Sequence, residues 1–122
     1  MAENQAATWK YVTASETVLG RLKQTSFDVT LTNGYPNTPG VSWGYPVAVQ
    51  QNLGMAVVFN PSLKDNTASF SAAPSGYTYE YDFVHNSIRV MAGGNAQNPM
   101  IECSSGTNLS GVVVRANFQG SI

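Results

Sequence analysis

The sequence predicts an all-β protein, a single β-sandwich or jelly roll of about eight short antiparallel strands. Three observations lead there. Tyr77-Thr78-Tyr79-Glu80-Tyr81-Asp82-Phe83 alternates rings with polar residues, and a strand sends alternate side chains to opposite faces. Turn-forming clusters of Gly, Pro and Asn recur at short intervals along the whole chain. No segment carries the apolar stripe of an amphipathic helix. At 122 residues the chain reads as one domain, large enough to bury its own core.

Taken in order, residues 1–16 read as a small polar arm ending in a first short strand, and 17–122 as the β domain. In the arm, Thr8-Trp9-Lys10-Tyr11-Val12-Thr13 puts Trp9 and Tyr11 on one face. Thr13-Ala14-Ser15-Glu16 matches a capping box. Gly20 and the surrounding β-branched residues favour a turn and extended chain over a helix there. Gln24 to Thr32 alternates again, with Phe27, Val29 and Leu31 inward and Ser26, Asp28 and Thr30 outward. Asn33-Gly34 closes that strand as a turn dipeptide. Tyr35 to Pro46 is a long loop whose three prolines exclude a central strand. Loops of this length are commonly functional. Val47-Ala48-Val49 and Met55 to Phe59 are apolar runs suited to buried strands, and Asn60-Pro61-Ser62 reads as a turn. A weak strand is expected over 67–71 and a loop over 72–76. The tyrosine strand follows, then a turn at Val84-His85-Asn86-Ser87 and a return through Ile88-Arg89-Val90-Met91. After a loop at 93–99, Met100 to Cys103 is a short strand and Ser104 to Asn108 a turn. Leu109 to Phe118 forms the closing strand, with Val112, Val114, Ala116 and Phe118 on one face.

Only 11% of the residues are charged, against about 25% in ordinary globular domains. Asn, Gln, Ser and Thr must therefore build the polar surface, as in β-rich surfaces that pack against other surfaces. Six Lys and Arg residues are scattered and the net charge is −1, which argues against nucleic-acid binding. The N-terminus lacks the basic and apolar regions of a signal peptide, and no apolar run approaches the ~20 residues of a membrane span. Cys103 is the only cysteine; it forms no intrachain disulfide and reads as a buried hydrophobe. These features suit a chain made and folded in a cytoplasm.

Catalytic candidates are few. His85 is the only histidine, so an imidazole-based metal cluster is excluded, and its predicted turn is a solvated place. Nothing local joins it to Cys103. Glu80 and Asp82 lie on one strand face roughly 6–7 Å apart, near the spacing of a retaining glycosidase pair. Alternation on a half-exposed hairpin explains them equally, as solvent-facing carboxylates with Arg89 across the hairpin pairing one of them. No catalytic residues, metal or cofactor are assigned. The row Tyr77, Tyr79, Tyr81 reads as core in preference to a stacking platform. Trp9, Tyr11, Tyr35, Trp43 and Tyr45 are the candidate interface residues, since large aromatics in arms and loops must pack somewhere.

Three segments together resemble a known family. Phe27-Asp28-Val29-Thr30-Leu31-Thr32-Asn33-Gly34-Tyr35-Pro36 is similar to the strand and Tyr-Pro that open the small head decoration (cement) proteins of tailed bacteriophages. Gly76 to Val90 resembles their central hairpin. Ser105 to Arg115, with Leu109-Ser110 before the β-branched run, resembles their closing strand. The resemblance spans roughly Leu19 to Gly120. Asn37-Thr38-Pro39-Gly40 stands where relatives often carry Gly-Gly, and the first 18 residues have no counterpart. The resemblance implies a non-enzymatic jelly-roll protein, often trimeric, on the exterior of a phage head, and the expected assembly of this chain is a homotrimer. It would clamp neighbouring subunits of the major capsid protein, with no nucleic acid or membrane as partner. The alternative is a carbohydrate-binding or receptor-binding β-sandwich module of a phage fibre or tail, with Trp43, Tyr45 and Tyr35 stacking on sugar and Asn33 and Asn37 as polar partners.

Overall fold

The computed structural model describes residues 7–38, 40–66, 77–93 and 100–122. The expected strand at 67–71, the loops at 72–76 and 94–99, and the first six residues of the arm lie outside the described residues. What is described is an all-β domain of two main sheets.

The first sheet is built on its longest pair. β3 (Leu22–Thr30) runs antiparallel to β11 (Val113–Ser121), nine residues against nine. β7 (Val57–Asp65) covers the far edge of β11. Two short strands share the other edge of β3: β1 (Thr8–Tyr11) pairs with its second half and β2 (Thr17–Leu19) with its first. Between them the Ser15 side chain completes the ladder. Its Oγ donates to the Ser26 carbonyl and accepts from the Ser26 N–H. The β2–β3 hairpin turns on Gly20-Arg21, with Gly20 at φ +62°, the left-handed conformation that glycine adopts freely. Extended chain here agrees with the sequence reading.

In the second sheet β9 (Ser87–Gly93) pairs along one edge with β8 (Tyr77–Asp82). Along its other edge lie β6 (Tyr45–Pro46) and β10 (Met100–Glu102). Two-residue strands β4 (Asn37–Thr38) and β5 (Ser42–Trp43) form a ribbon within the proline-rich loop. Gly44 brings that loop against β9: a Cβ there would collide with the Ile88 carbonyl, and its φ is +89°.

The core lies between the sheets. Val29, Leu31, Val114, Ala116 and Phe118 project from the first; Tyr79, Ile88, Val90 and Tyr45 come from the second. The inward sets read from alternation in β3 and β11 are therefore correct, and the tyrosine row is core: Tyr79 is buried, while Tyr77 and Tyr81 are half-buried against the cluster.

Other expectations are corrected. Val47-Ala48-Val49 is not a strand. Residues Val49–Leu53 form a π-helical turn flanked by left-handed Ala48 and Gly54, and the Asn52 amide donates to the Val47 carbonyl at 2.8 Å. Asn60-Pro61-Ser62 does not turn; β7 runs straight through, Pro61 opposite Phe118. β7 is the outermost strand of its described sheet, and an edge strand is where a proline is tolerated. The register slips at Gln119/Gly120, leaving Phe59 as the extra, bulged residue. Val57 and Phe59, expected inside, are consequently exposed.

The aromatic residues of the arm's first strand pack on the domain. Trp9 packs edge-on to Phe27 at 5.4 Å and stacks near Phe118 at 6.1 Å, while Tyr11 meets Phe27 at 5.9 Å. No described helix is long and apolar enough to cross a membrane.

Candidate interaction surfaces

The five aromatic interface candidates divide sharply. Tyr35 and Tyr45 are fully buried, at 0% exposure, and this corrects their placement at a surface. The Tyr45 hydroxyl donates to the Thr32 carbonyl at 2.8 Å. The Tyr35 hydroxyl donates to Glu102 at 2.7 Å and accepts from the Val90 N–H at 3.0 Å. A tyrosine with both apolar ring and hydroxyl satisfied is a core residue. Burial pushes both hydroxyls up from their ordinary pKa, and for Tyr35 the Glu102 charge adds to this. Trp9 is half-buried on its own domain, and Tyr11, 44% exposed, accepts the Glu16 N–H at its hydroxyl. Trp43 lies flat on His85, with ring centroids 4.0 Å apart and planes 7° apart.

Beneath that stack runs a chain of charged groups on the outer face of the second sheet. His85 Nδ1 is 2.9 Å from Asp82 Oδ2. Arg89 donates to the same oxygen from Nε and Nη2, at 2.9 and 2.7 Å, and from Nη1 to both oxygens of Glu102 at 3.0 Å. The backbone N–H groups of Val84 and His85 donate to Asp82 Oδ1. Burial opposes the Asp82 charge, but the hydrogen bonds from His85 and Arg89 outweigh it and hold the carboxyl well below the usual range. Asp82 is thus an enclosed anchor and not the solvent-facing carboxylate expected. Arg89 takes one of the two acids, as the hairpin register suggested, and its other partner comes from β10. Asp82 is engaged by His85, Arg89 and two backbone N–H groups, whereas Glu80 on the same strand face is exposed. Cys103 is in the core, its thiol pushed up by burial and then by the Glu102 charge, while His85 stacks on the loop. Among the described residues no group of three or more His, Cys, Asp or Glu is placed to hold a metal ion.

Two surfaces remain open to a partner. The first is the outer face of the first sheet. Hydrogen bonds between neighbouring side chains cross it: Asn60 to Gln119 and Gln119 to Gln24, both at 3.0 Å, and Ser26 to Asn117. One row carries charge, Lys10–Asp28–Arg115–Lys64, each residue opposite the next on adjacent strands. Arg115 binds Asp28 at 2.6 Å and Asn66 donates to it at 3.2 Å. The Arg115 hydrogen bonds, against a smaller burial effect, lower the Asp28 pKa. The row is therefore net positive, across about 14 Å of sheet.

The second surface is one end of the sandwich. Leu19, Leu22, Ser121 and Val57 form the last cross-strand row of the first sheet's outer face there, next to Gln24 and Gln119. A cleft of about 300 Å³ lies between Leu19, Leu22 and Phe59, with Lys23, Gln24 and Gln119 also lining it. Another of about 430 Å³ lies between Phe59, Tyr81 and Phe83. Leu19 is 76%, Phe59 52%, Phe83 57% and Val84 83% exposed. A third cleft, of about 270 Å³, follows beyond the 83–86 turn, lined by Pro36, Val41, Trp43, Pro46 and His85. Alternation within single strands missed this end, since it joins the β2–β3 hairpin, the bulge, the β8–β9 turn and the C-terminus.

No family model matches this chain. No curated protein or solved structure is significantly similar to it either. The function must therefore be argued from the surfaces themselves and from the motif resemblance.

Proposed function

We propose that this chain is a head decoration protein of the cement type, which lays the outer face of its first sheet on the exterior of a phage capsid and bridges neighbouring subunits of the major capsid protein. The observation that carries this reading is the pre-paired face. Its amides already satisfy one another sideways, so covering them strands few unsatisfied groups. Its charged row, with Lys10 and Lys64 exposed beside the Arg115–Asp28 pair, suits acidic side chains on the capsid surface. The motifs around Tyr35-Pro36, the tyrosine hairpin and Leu109-Ser110 support the same assignment. Many weak copies on a lattice stabilise a shell through avidity.

The test uses purified protein and expanded empty heads of the phage that encodes it. The protein should pellet with the heads and raise the temperature at which they rupture. Lys10→Glu with Lys64→Glu should weaken binding at least about tenfold. Wild-type protein that stays in the supernatant at every concentration sinks the reading.

The stacked Trp43–His85 pair beside its cleft favours a second reading, a glycan-binding module. Burial of Tyr35 and Tyr45 reduces that stacking set to Trp43. A glycan array separates the two readings, with Trp43→Ala as the control.

A further inference from the structure

We propose that the apolar end of the sandwich pairs two copies of this chain about a two-fold axis, setting Arg21 of each copy against Glu80 of the other. The strip begins on the outer face of the first sheet, next to the Gln24–Gln119 pair and at the far end from Lys10 and Lys64, and the pairing goes beyond the capsid assignment.

The exposed area is the first argument. Seven large apolar side chains, each at least half exposed, belong to the segments at this end: Leu19, Leu22, Val57, Phe59, Phe83, Val84 and Ile122. An aromatic side chain covers roughly 150–250 Å², so half-exposed Phe59 and Phe83 together show on the order of 200 Å². The whole strip shows on the order of 800 Å², one side of a standard interface. Patches of this size on a small domain mark contact sites.

Charge selects the occupant. Lys23 lines the first cleft of the strip, and its charge is met by Glu16 at 2.9 Å. The flanks of the strip carry one charge of each sign, and neither has an ion-pair partner among the described residues. Arg21 is exposed in the hairpin turn between Leu19 and Leu22. Glu80 is exposed on the opposite side of β7, lining the cleft with Phe59 and Phe83. Arg89 lies opposite Glu80 in register but gives its guanidinium to Asp82 and Glu102. A two-fold axis exchanges the two flanks, so each copy's positive end meets the other's negative end. The shape agrees: Phe59 is a ridge between two clefts, and the same operation places each ridge over a cleft of the other copy. An isologous contact therefore satisfies two ions that have no ion-pair partner among the described residues.

The test is the mass of the protein in solution, by sedimentation equilibrium, with no capsid present. At about 50 µM the chain should sediment at twice its 13.0 kDa. Arg21→Glu alone, or Glu80→Arg alone, creates two like-charge contacts at once and should weaken the pairing at least about tenfold. The two combined should restore it to within about threefold. Phe59→Ser should weaken it at least about tenfold, whereas Lys10→Glu with Lys64→Glu, at the far end of the first sheet, should leave it unchanged. Both flank residues are exposed, so these variants should fold, as a thermal melt would verify. A monomeric wild type at about 50 µM, a mass of three chains, or a combined variant that folds but does not re-pair overturns the proposal. None of those results bears on whether the protein binds capsids.

Discussion

Arg89 is the residue on which the outer face of the second sheet depends. Its fork joins a carboxylate from its own hairpin to one from β10, and Glu102 in turn accepts the buried Tyr35 hydroxyl. Replacing Asp82 by Asn leaves Arg89 and His85 short of their anion and should cost about 2 kcal/mol in urea unfolding. The pH dependence follows from the same group. Its folded pKa is depressed, so its contribution is complete above the ordinary carboxylate value near ~3.9 and is lost as pH falls toward the folded value. Wild type should lose stability below about pH 4 more steeply than Asp82→Asn. Glycine at two positions is a matter of space. A Cβ at Gly120 would meet the Val57 carbonyl and the Met55 sulfur, both held in place by strand and core. Gly120→Ala and Gly44→Ala should each destabilise by about 1–3 kcal/mol. Gly40→Ala has open space around it and should lose only the advantage of glycine at positive φ.

At the scale of elements, β1 decides what the N-terminus is for. Trp9 and Tyr11 look like anchors for another subunit in a chain read locally, because nothing near them in sequence covers them. Their cover comes from Phe27 and Phe118, one strand over and at the far end of the chain. Trp9→Ala should therefore cost about 2–3 kcal/mol in the isolated domain, and deletion through Tyr11 should lower the melting temperature by several degrees or more. Unchanged stability in both would return these residues to the role of a docking arm. The proline-rich loop is likewise tied inward, by Tyr35, Tyr45 and the Asn37 amide bonded to the Cys103 carbonyl at 3.0 Å. Its tip, with Trp43 on His85, faces a cleft that Pro36 and Pro46 also line.

At the scale of the whole molecule, scarcity of charge is what makes both open surfaces usable. The described salt bridges lie within the hydrogen-bonded networks or, for Lys23–Glu16 at 2.9 Å, beside the apolar end. The two surfaces should differ in their response to salt. Capsid binding through Lys10 and Lys64 should fall as ionic strength rises, because exposed charges are screened beyond about 8–10 Å. Pairing through the apolar end should weaken little between low and physiological salt, since Arg21 and Glu80 supplement an apolar contact. Titrating both activities against sodium chloride separates them. Equal sensitivity would mean that one surface serves both.

The sequence by itself determined the strands and their faces where the pattern is local. Phe27 and Val29 in β3, and Val114, Ala116 and Phe118 in β11, show their inward side by alternation alone, because the pleat has a period of two in any β fold. The hairpin of Tyr77 to Met91 was legible for the same reason, its turn and both strands being contiguous. Only the tertiary structure decided which strands lie side by side. β3 meets β11 about ninety residues later, and no local pattern encodes that pairing or the slip at Gln119/Gly120 that turns Phe59 outward. Pro61 reads as a turn in isolation and is admitted to a strand because β7 lies outermost. Tyr35 and Tyr45 read as loop aromatics and are core because β9 passes over them. Asp82 reads as solvated until Arg89 and the 83–86 turn enclose it. The apolar end is the furthest from the sequence, since four separated segments contribute to it, and each apolar residue there looks in isolation like one more candidate for the core.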